Sequence, residues 1–130
     1  MGLNTLTLIC GLPNAGKTTF SKQFSNVLHQ DDIGLIKHIV DKIEHADGDV
    51  IIEGYFGRKN ERDRVREAHD GYAKCIFLEI SVEESIKREN RNRHPQILRN
   101  ASRFFEPPTL DEGWDEIIIV RNGAETHLER

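Results

Sequence analysis

The stretch Gly11-Leu12-Pro13-Asn14-Ala15-Gly16-Lys17-Thr18 spells GxxxxGK[ST], and its surroundings constrain how it folds. An apolar run, Leu6 to Cys10, precedes it and reads as a buried strand, while Phe20 and Phe24 follow one helical turn apart and read as helix. Strand, glycine loop and helix N-terminus in that order aim successive backbone N–H groups at one anion. Residues Gly11, Leu12, Pro13, Asn14, Ala15, Gly16, Lys17, Thr18 and Thr19 are the expected cradle for nucleotide phosphates. Within it the Lys17 ammonium reaches the β- and γ-phosphates, and the Thr18 hydroxyl ligates Mg²⁺. The competing possibility is a glycine turn that only joins a strand to a helix.

At 130 residues the chain is expected to form one domain, 1–130, with one core and no separate substrate domain. It carries 18 Lys+Arg against 22 Asp+Glu, a formal charge of −4, so any polyanion must be held by a local patch. Cys10 and Cys75 both fall in apolar runs and are expected as small buried hydrophobes of a reducing compartment. No run approaches the ~20 apolar residues that span a bilayer, and no leader pattern opens the chain. The expectation is a cytoplasmic protein with no membrane association and no obligate protein partner.

Short apolar runs alternate with helical patterns, which predicts a parallel sheet of βα units. Strands are expected at Val27–Gln30, Val50–Ile52, Lys74–Ile80 and Ile117–Val120 in addition to the first. Helices are expected at Ile33–Ile43, Asn60–His69, after a Ser81/Glu84 capping box, and at Gln96–Phe105 before Pro107-Pro108. Ligands of open parallel sheets sit at the strands' carboxyl ends. The glycine loop, Asp31-Asp32 and Glu53 follow strands one, two and three and should converge there.

On these residues the chain resembles the P-loop kinases, and more narrowly the kinase domains of bacteriophage and animal polynucleotide kinases. The likeness is carried by the loop and its helix, by His29-Gln30-Asp31-Asp32, by the arginine-rich Lys87 to Arg93, and by the tail Phe104 to Ile117. The resemblance implies a three-layer α/β/α P-loop NTPase fold with a central, mostly parallel five-stranded sheet. It also implies a phosphotransferase using ATP and Mg²⁺. Three positions depart from the family pattern: Gln30 stands where an Arg is usual, Gly34 stands where the phage enzyme has a phosphate-reading arginine, and Glu53-Gly54-Tyr55 replaces an Asp followed by Thr or Asn.

In this frame Asp31 is the expected catalytic base, and Asp32 is the expected N-cap of the next helix or a weaker substrate contact. Glu53 either holds the Mg²⁺ water shell or orients the acceptor, and is otherwise a solvated strand-end acid. Tyr55 either stacks on substrate or walls the pocket; Phe56 is the better core residue. Arg91 and Arg93 match the lid arginines that stabilise charge on the transferred phosphoryl group, against a solvated basic helix end. Arg62 matches an arginine common in the family after strand three and is a substrate candidate, although its mixed-charge helix reads as water-facing. The histidines show no zinc-ligand spacing. The acceptor is expected to be a nucleic-acid 5′-hydroxyl, with a small metabolite such as a nucleoside or sugar as the alternative. A nucleotide-dependent switch is a further alternative, but the chain lacks an Asn-Lys-x-Asp base-reading motif.

Overall fold

The strand that precedes the glycine loop is the centre of the sheet. In the computed structural model, which describes residues 4–130, β1 (Thr5–Gly11) lies between β3 (Val50–Gly54) and β4 (Tyr72–Leu78) and pairs parallel with both. Beyond β3 lies the short β2 (Leu28–His29), and beyond β4 lies β5 (Glu116–Arg121), again parallel. The sheet order is β2-β3-β1-β4-β5-β6, so the fold is α/β with a mostly parallel sheet of six strands. The sixth, β6 (Ala124–Glu129), folds back antiparallel on β5. Asn122 and Gly123 form that hairpin turn with φ 52° and 78°, the double positive φ that such two-residue turns require. The sequence expectation of five strands omitted β6 because it is exposed along its length and shows no apolar alternation.

Side-chain alternation divides the strands between two faces. Leu6, Leu8 and Cys10 of β1 join Ile52, Cys75, Phe77 and Ile117 on the larger face, under α3 (Ile36–Glu44) and α4 (Lys59–Glu67). Ile9, Ile76 and Leu78 form a smaller cluster on the other face, with Phe20 and Phe24 packed against it from α1 (Lys17–Ser21) and the turn after it. The helix expected from Ile33 to Ile43 is broken in two. Gly34 takes φ 89° and separates a single turn, α2 (Gln30–Ile33), from α3. Ser81 caps α5 (Val82–Lys87) by accepting from Glu84 N, and Pro95 opens α6 (Pro95–Arg103).

A buried ion pair locks the tail to α4. Arg62 of α4 is fully buried and donates Nε to Glu112 Oε1 at 3.0 Å and Nη2 to Glu112 Oε2 at 2.8 Å. The same carboxylate accepts from Trp114 Nε1 and, in a capping box, from Thr109 N, each at 3.1 Å. The remaining Arg62 nitrogen, Nη1, donates to Phe56 O at 2.8 Å. Arg62 is therefore a core residue with its donors engaged, which corrects its reading as a substrate contact. Trp114 is also fully buried.

Removing one partner of such a pair strands the other charge in the core. Glu112→Ala should lower the unfolding free energy by about 3–5 kcal/mol, while Arg62→Met with Glu112→Leu should restore part of it, short of the whole because Trp114 Nε1, Thr109 N and Phe56 O lose their partners. Urea denaturation of the two variants measures the difference; a single-variant cost below about 1 kcal/mol would mean that the pair is not sealed from water.

Candidate active site

The loop is shaped by backbone that only certain residues adopt. Gly16 takes φ 91° and Asn14 φ 68°. A Cβ on Gly11 would meet the Leu78 carbonyl at 2.6 Å, so the start of the loop can lie this close to the end of β4 only without a side chain. Among the described residues the N–H groups of Gly16, Lys17, Thr18 and Thr19 have no hydrogen-bond acceptor. These orphan donors suit an anion. The Lys17 ammonium lies against the loop, donating to Gly11 O at 2.9 Å and Leu12 O at 2.7 Å. Burial lowers its pKa below the usual lysine value, the carboxylates of Glu53 and Asp31 partly offset this, and the nearby Arg93 adds to the lowering.

Lys17, Thr18, Thr19, Asp31, Glu53, Tyr55, Arg91 and Arg93 all line one cavity of about 660 Å³, together with loop residues Pro13, Asn14 and Gly16. Strand ends bring the acids here. Glu53, at the end of β3, is buried, and its Oε2 pairs with His29 Nδ1 at 2.8 Å. Gln30 and Gly54, at two of the divergent positions, fit each other: a Cβ on Gly54 would collide with the Gln30 side chain, whose Oε1 accepts from Tyr55 N at 3.0 Å. The Tyr55 hydroxyl donates to Ala101 O on α6, and its ring meets Phe105 edge-on at 5.4 Å. Phe56 is buried in the core with φ 40°.

Asp31 and Asp32 part company. Both stand in the first turn of α2, which His29 precedes as N-cap, so Asp32 is not a cap. Asp32 lines a separate cleft with His38, Asp41 and Lys42, away from the loop, and is not brought to the site. Successive helical positions point about 100° apart, which separates the two carboxylates.

The lid arginines differ in their attachments. Arg93 donates Nε and Nη2 to Glu89, at 3.1 and 2.9 Å, and Nη2 also to Asn14 Oδ1 at 3.1 Å. Arg91 is exposed, and its side chain bonds to none of the described residues. Sequence reasoning missed the attachments of Glu89 and Asn14, and it missed the wall formed by Arg58, Ile97, Asn100 and Phe104 opposite the loop. Glu89 stands four residues before Arg93, but α5 ends at Lys87, so the pair closes across a loop and helical spacing does not explain it. The wall joins two segments about 40 residues apart and carried no local signal.

No group of three or more His, Cys, Asp or Glu among the described residues is placed to hold a metal. The donor set suits a cation shared with phosphate oxygens, since Mg²⁺ keeps water and substrate ligands in such sites. Thr18 would supply its hydroxyl, which has no protein partner among the described residues, and Glu53 would act through water. No helix among the described residues is long and apolar enough to cross a membrane.

No protein-family model and no curated protein sequence matches the chain. Solved structures do. A gluconokinase from Sinorhizobium meliloti 1021 superposes with a TM-score of 0.75 at 15% identity, covering 92% of this chain and 83% of that one. A sugar kinase from Janibacter sp. HTCC2649 superposes with a TM-score of 0.66 at 17% identity, covering 91% and 84%. The likeness is one of fold: the chain shares the α/β architecture of these two structures.

A loop that binds phosphates only in the folded protein must stabilise it when they bind. Lys17→Ala should leave the melting temperature without nucleotide within a few degrees of wild type and remove most of the rise produced by saturating Mg·ATP. Thermal unfolding with and without nucleotide checks both, and a wild type that gains nothing from nucleotide would overturn the phosphate-binding assignment.

Proposed function

We propose that this chain transfers the γ-phosphoryl group of Mg·ATP to a hydroxyl of a small hydroxylated metabolite that carries an acid group. The observation behind this is the single cavity that unites free loop amides, a carboxylate at the end of β2 and two lid arginines. Phosphoryl transfer demands positioning and charge stabilisation more than covalent participation, and this inventory supplies both. Mg²⁺ bound with the nucleotide would neutralise charge on the outer phosphates.

The loop amides and Lys17 hold the triphosphate. A neighbouring cavity of about 670 Å³, which shares Arg88 with the first, gives room for ribose and base beside Leu12 and Asn122. Asp31 accepts the proton of the attacking hydroxyl as the new O–P bond forms and the bond to the β-phosphate oxygen breaks, leaving ADP. Arg93 and Arg91 stabilise charge on the equatorial oxygens during transfer. Glu53, fixed by His29, would act through water on a metal bound with the nucleotide.

The acceptor lies against Tyr55, Arg58, Asn100 and Phe104. Among the described residues the Arg58 side chain has no ion-pair or hydrogen-bond partner, and an acid group on the acceptor would satisfy it. Structural neighbours named for gluconate and sugar phosphorylation support a small acceptor. A polynucleotide 5′-hydroxyl has less support. Arg62 and Glu112, two residues behind that resemblance, are committed to the core, and Gly34 offers no charge to a backbone phosphate.

Transfer of labelled phosphate should be measured to D-gluconate and to D-glucitol, which differ only in a carboxylate against a hydroxymethyl group. Gluconate should be preferred, and Arg58→Ala should raise its KM about 10- to 100-fold, the worth of one charged hydrogen bond, with little change in kcat. Asp31→Asn should reduce turnover about 10²- to 10⁴-fold and keep Mg·ATP binding. Asp32→Asn, in the separate cleft, should stay within about twofold of wild type. Labelling of a 5′-hydroxyl oligonucleotide in preference to both small acceptors would reverse the choice of acceptor.

A further inference from the structure

Glu89 collects more hydrogen bonds than any other side chain around the cavity, yet it is an acid where the chemistry calls for cations. Its side chain is only 9% exposed. Its two oxygens accept from Arg93 Nε and Nη2, from the backbone N–H groups of Arg91 and Arg93 at 3.0 Å each, and from Asn14 Nδ2 at 2.8 Å. These donors hold the carboxyl at about 2, well below its usual range, with Arg93 the largest contributor and Asn14 next. It is therefore ionised throughout the neutral range.

Asn14 is the other end of this connection. It sits inside the glycine loop with φ 68°, a conformation that Asn tolerates better than most side chains. Its Nδ2 donates to Ser85 O as well as to Glu89, its Oδ1 accepts from Arg93, and its carbonyl accepts from Arg88 Nη1. Ser85 Oγ also donates to Pro13 O at 2.7 Å. Loop and lid are thus joined before any nucleotide arrives. Among the described residues Arg93 Nη1 is the one terminal nitrogen of this guanidinium left without an acceptor, in a side chain that lines the cavity.

We propose that Glu89 is a positioning residue that clamps Arg93 to the glycine loop in the nucleotide-free protein, so that Arg93 is preset for the transferred phosphoryl group while Arg91 remains the mobile partner. This rests on the phosphoryl-transfer function proposed above. Arg93 and Lys17 are like charges close enough to influence each other, and without Glu89 their repulsion would favour an Arg93 swung into solvent. A fixed dipole or charge stabilises a transition state without reorganising during the reaction, whereas a freed arginine must first be ordered.

The test uses Glu89→Gln, which keeps the size but removes the charge and turns one accepting oxygen into a donating amide nitrogen, with Glu89→Asp as the charge-retaining control. Two measurements are made. In the nucleotide-free protein, the Arg93 Nε–H resonance, assigned by its loss in Arg93→Lys, should be protected from solvent exchange in wild type and broadened or lost in Glu89→Gln. In the second, kcat for the acceptor identified and the affinities of Mg·ADP and Mg·ADP with aluminium fluoride, a mimic of the phosphoryl in flight, are compared. Glu89→Gln should lower kcat by up to about 10²-fold and weaken the mimic in parallel, leaving Mg·ADP within about threefold. Glu89→Asp should recover part of both losses. An unchanged Arg93 resonance would overturn the clamp, and so would wild-type turnover in Glu89→Gln. Equal weakening of both ligands with a lowered melting temperature would overturn it too, because a merely structural role predicts that. A wild type that neither labels an acceptor nor prefers the mimic over Mg·ADP would remove the transfer function instead, and the resonance would still decide whether Glu89 holds Arg93.

Discussion

The ion pair between Arg62 and Glu112 ties the parts of this small fold that no strand pairing connects. Glu112 belongs to the tail before β5, Arg62 to α4, and the Arg62 Nη1 contact to Phe56 O reaches the loop between β3 and α4. Phe56 holds a positive φ that costs a non-glycine residue about 1–3 kcal/mol, and it keeps that shape because its side chain is in the core and its carbonyl is bonded. Tyr55 and Arg58 flank this point and line the cavity. The buried pair therefore acts on the site indirectly, by fixing the loop that presents them.

The sheet supplies the rest of the positioning. Parallel pairing of β1, β2 and β3 brings the glycine loop, Asp31 and Glu53 to one edge, and the long-range charges follow from that placement. The cavity is lined by five basic side chains, Lys17, Arg58, Arg88, Arg91 and Arg93, against two acidic ones, Asp31 and Glu53. The chain as a whole is at −4, so the excess acid lies elsewhere on the surface. Such a distribution favours anions at this one mouth and discourages them from adhering to the remaining surface.

The loop and the alternation of strands and helices were legible because each rests on local spacing, and the convergence of Asp31 with Lys17 because the carboxyl ends of parallel strands share one edge. Gly34 was legible as an oddity but not as a helix break, because Ile33, Ile36, Val40 and Ile43 keep a helical period across it. Arg62 was misread for a physical reason. Its helix is rich in charge of both signs, and only the three-residue step to Val65, also buried, marks the inward face. Gln30 and Gly54 were each visible as departures from a family pattern, but their mutual fit spans 24 positions and belongs to the packed structure.

The tail shows why a motif can be specific to a fold and say little about a substrate. Thr109, Glu112 and Trp114 look like a signature of one kinase group, yet each is used in a capping box or a buried bond. Gly113, with φ 104°, sits where a Cβ would press on the Arg66 guanidinium at about 3.1 Å, so its identity too is set by packing. These residues would be required by any acceptor that depends on the same loop between β3 and α4. The groups that would face the proposed acceptor, Arg58, Asn100 and Phe104, come from the start of α4 and from α6 and its end, and none is held by the buried pair directly. They can change without loss of the fold. On the proposed function, acceptor choice would therefore rest on the side chains that sequence patterns describe least, and Arg58, without a partner among the described residues, would carry the most information about it.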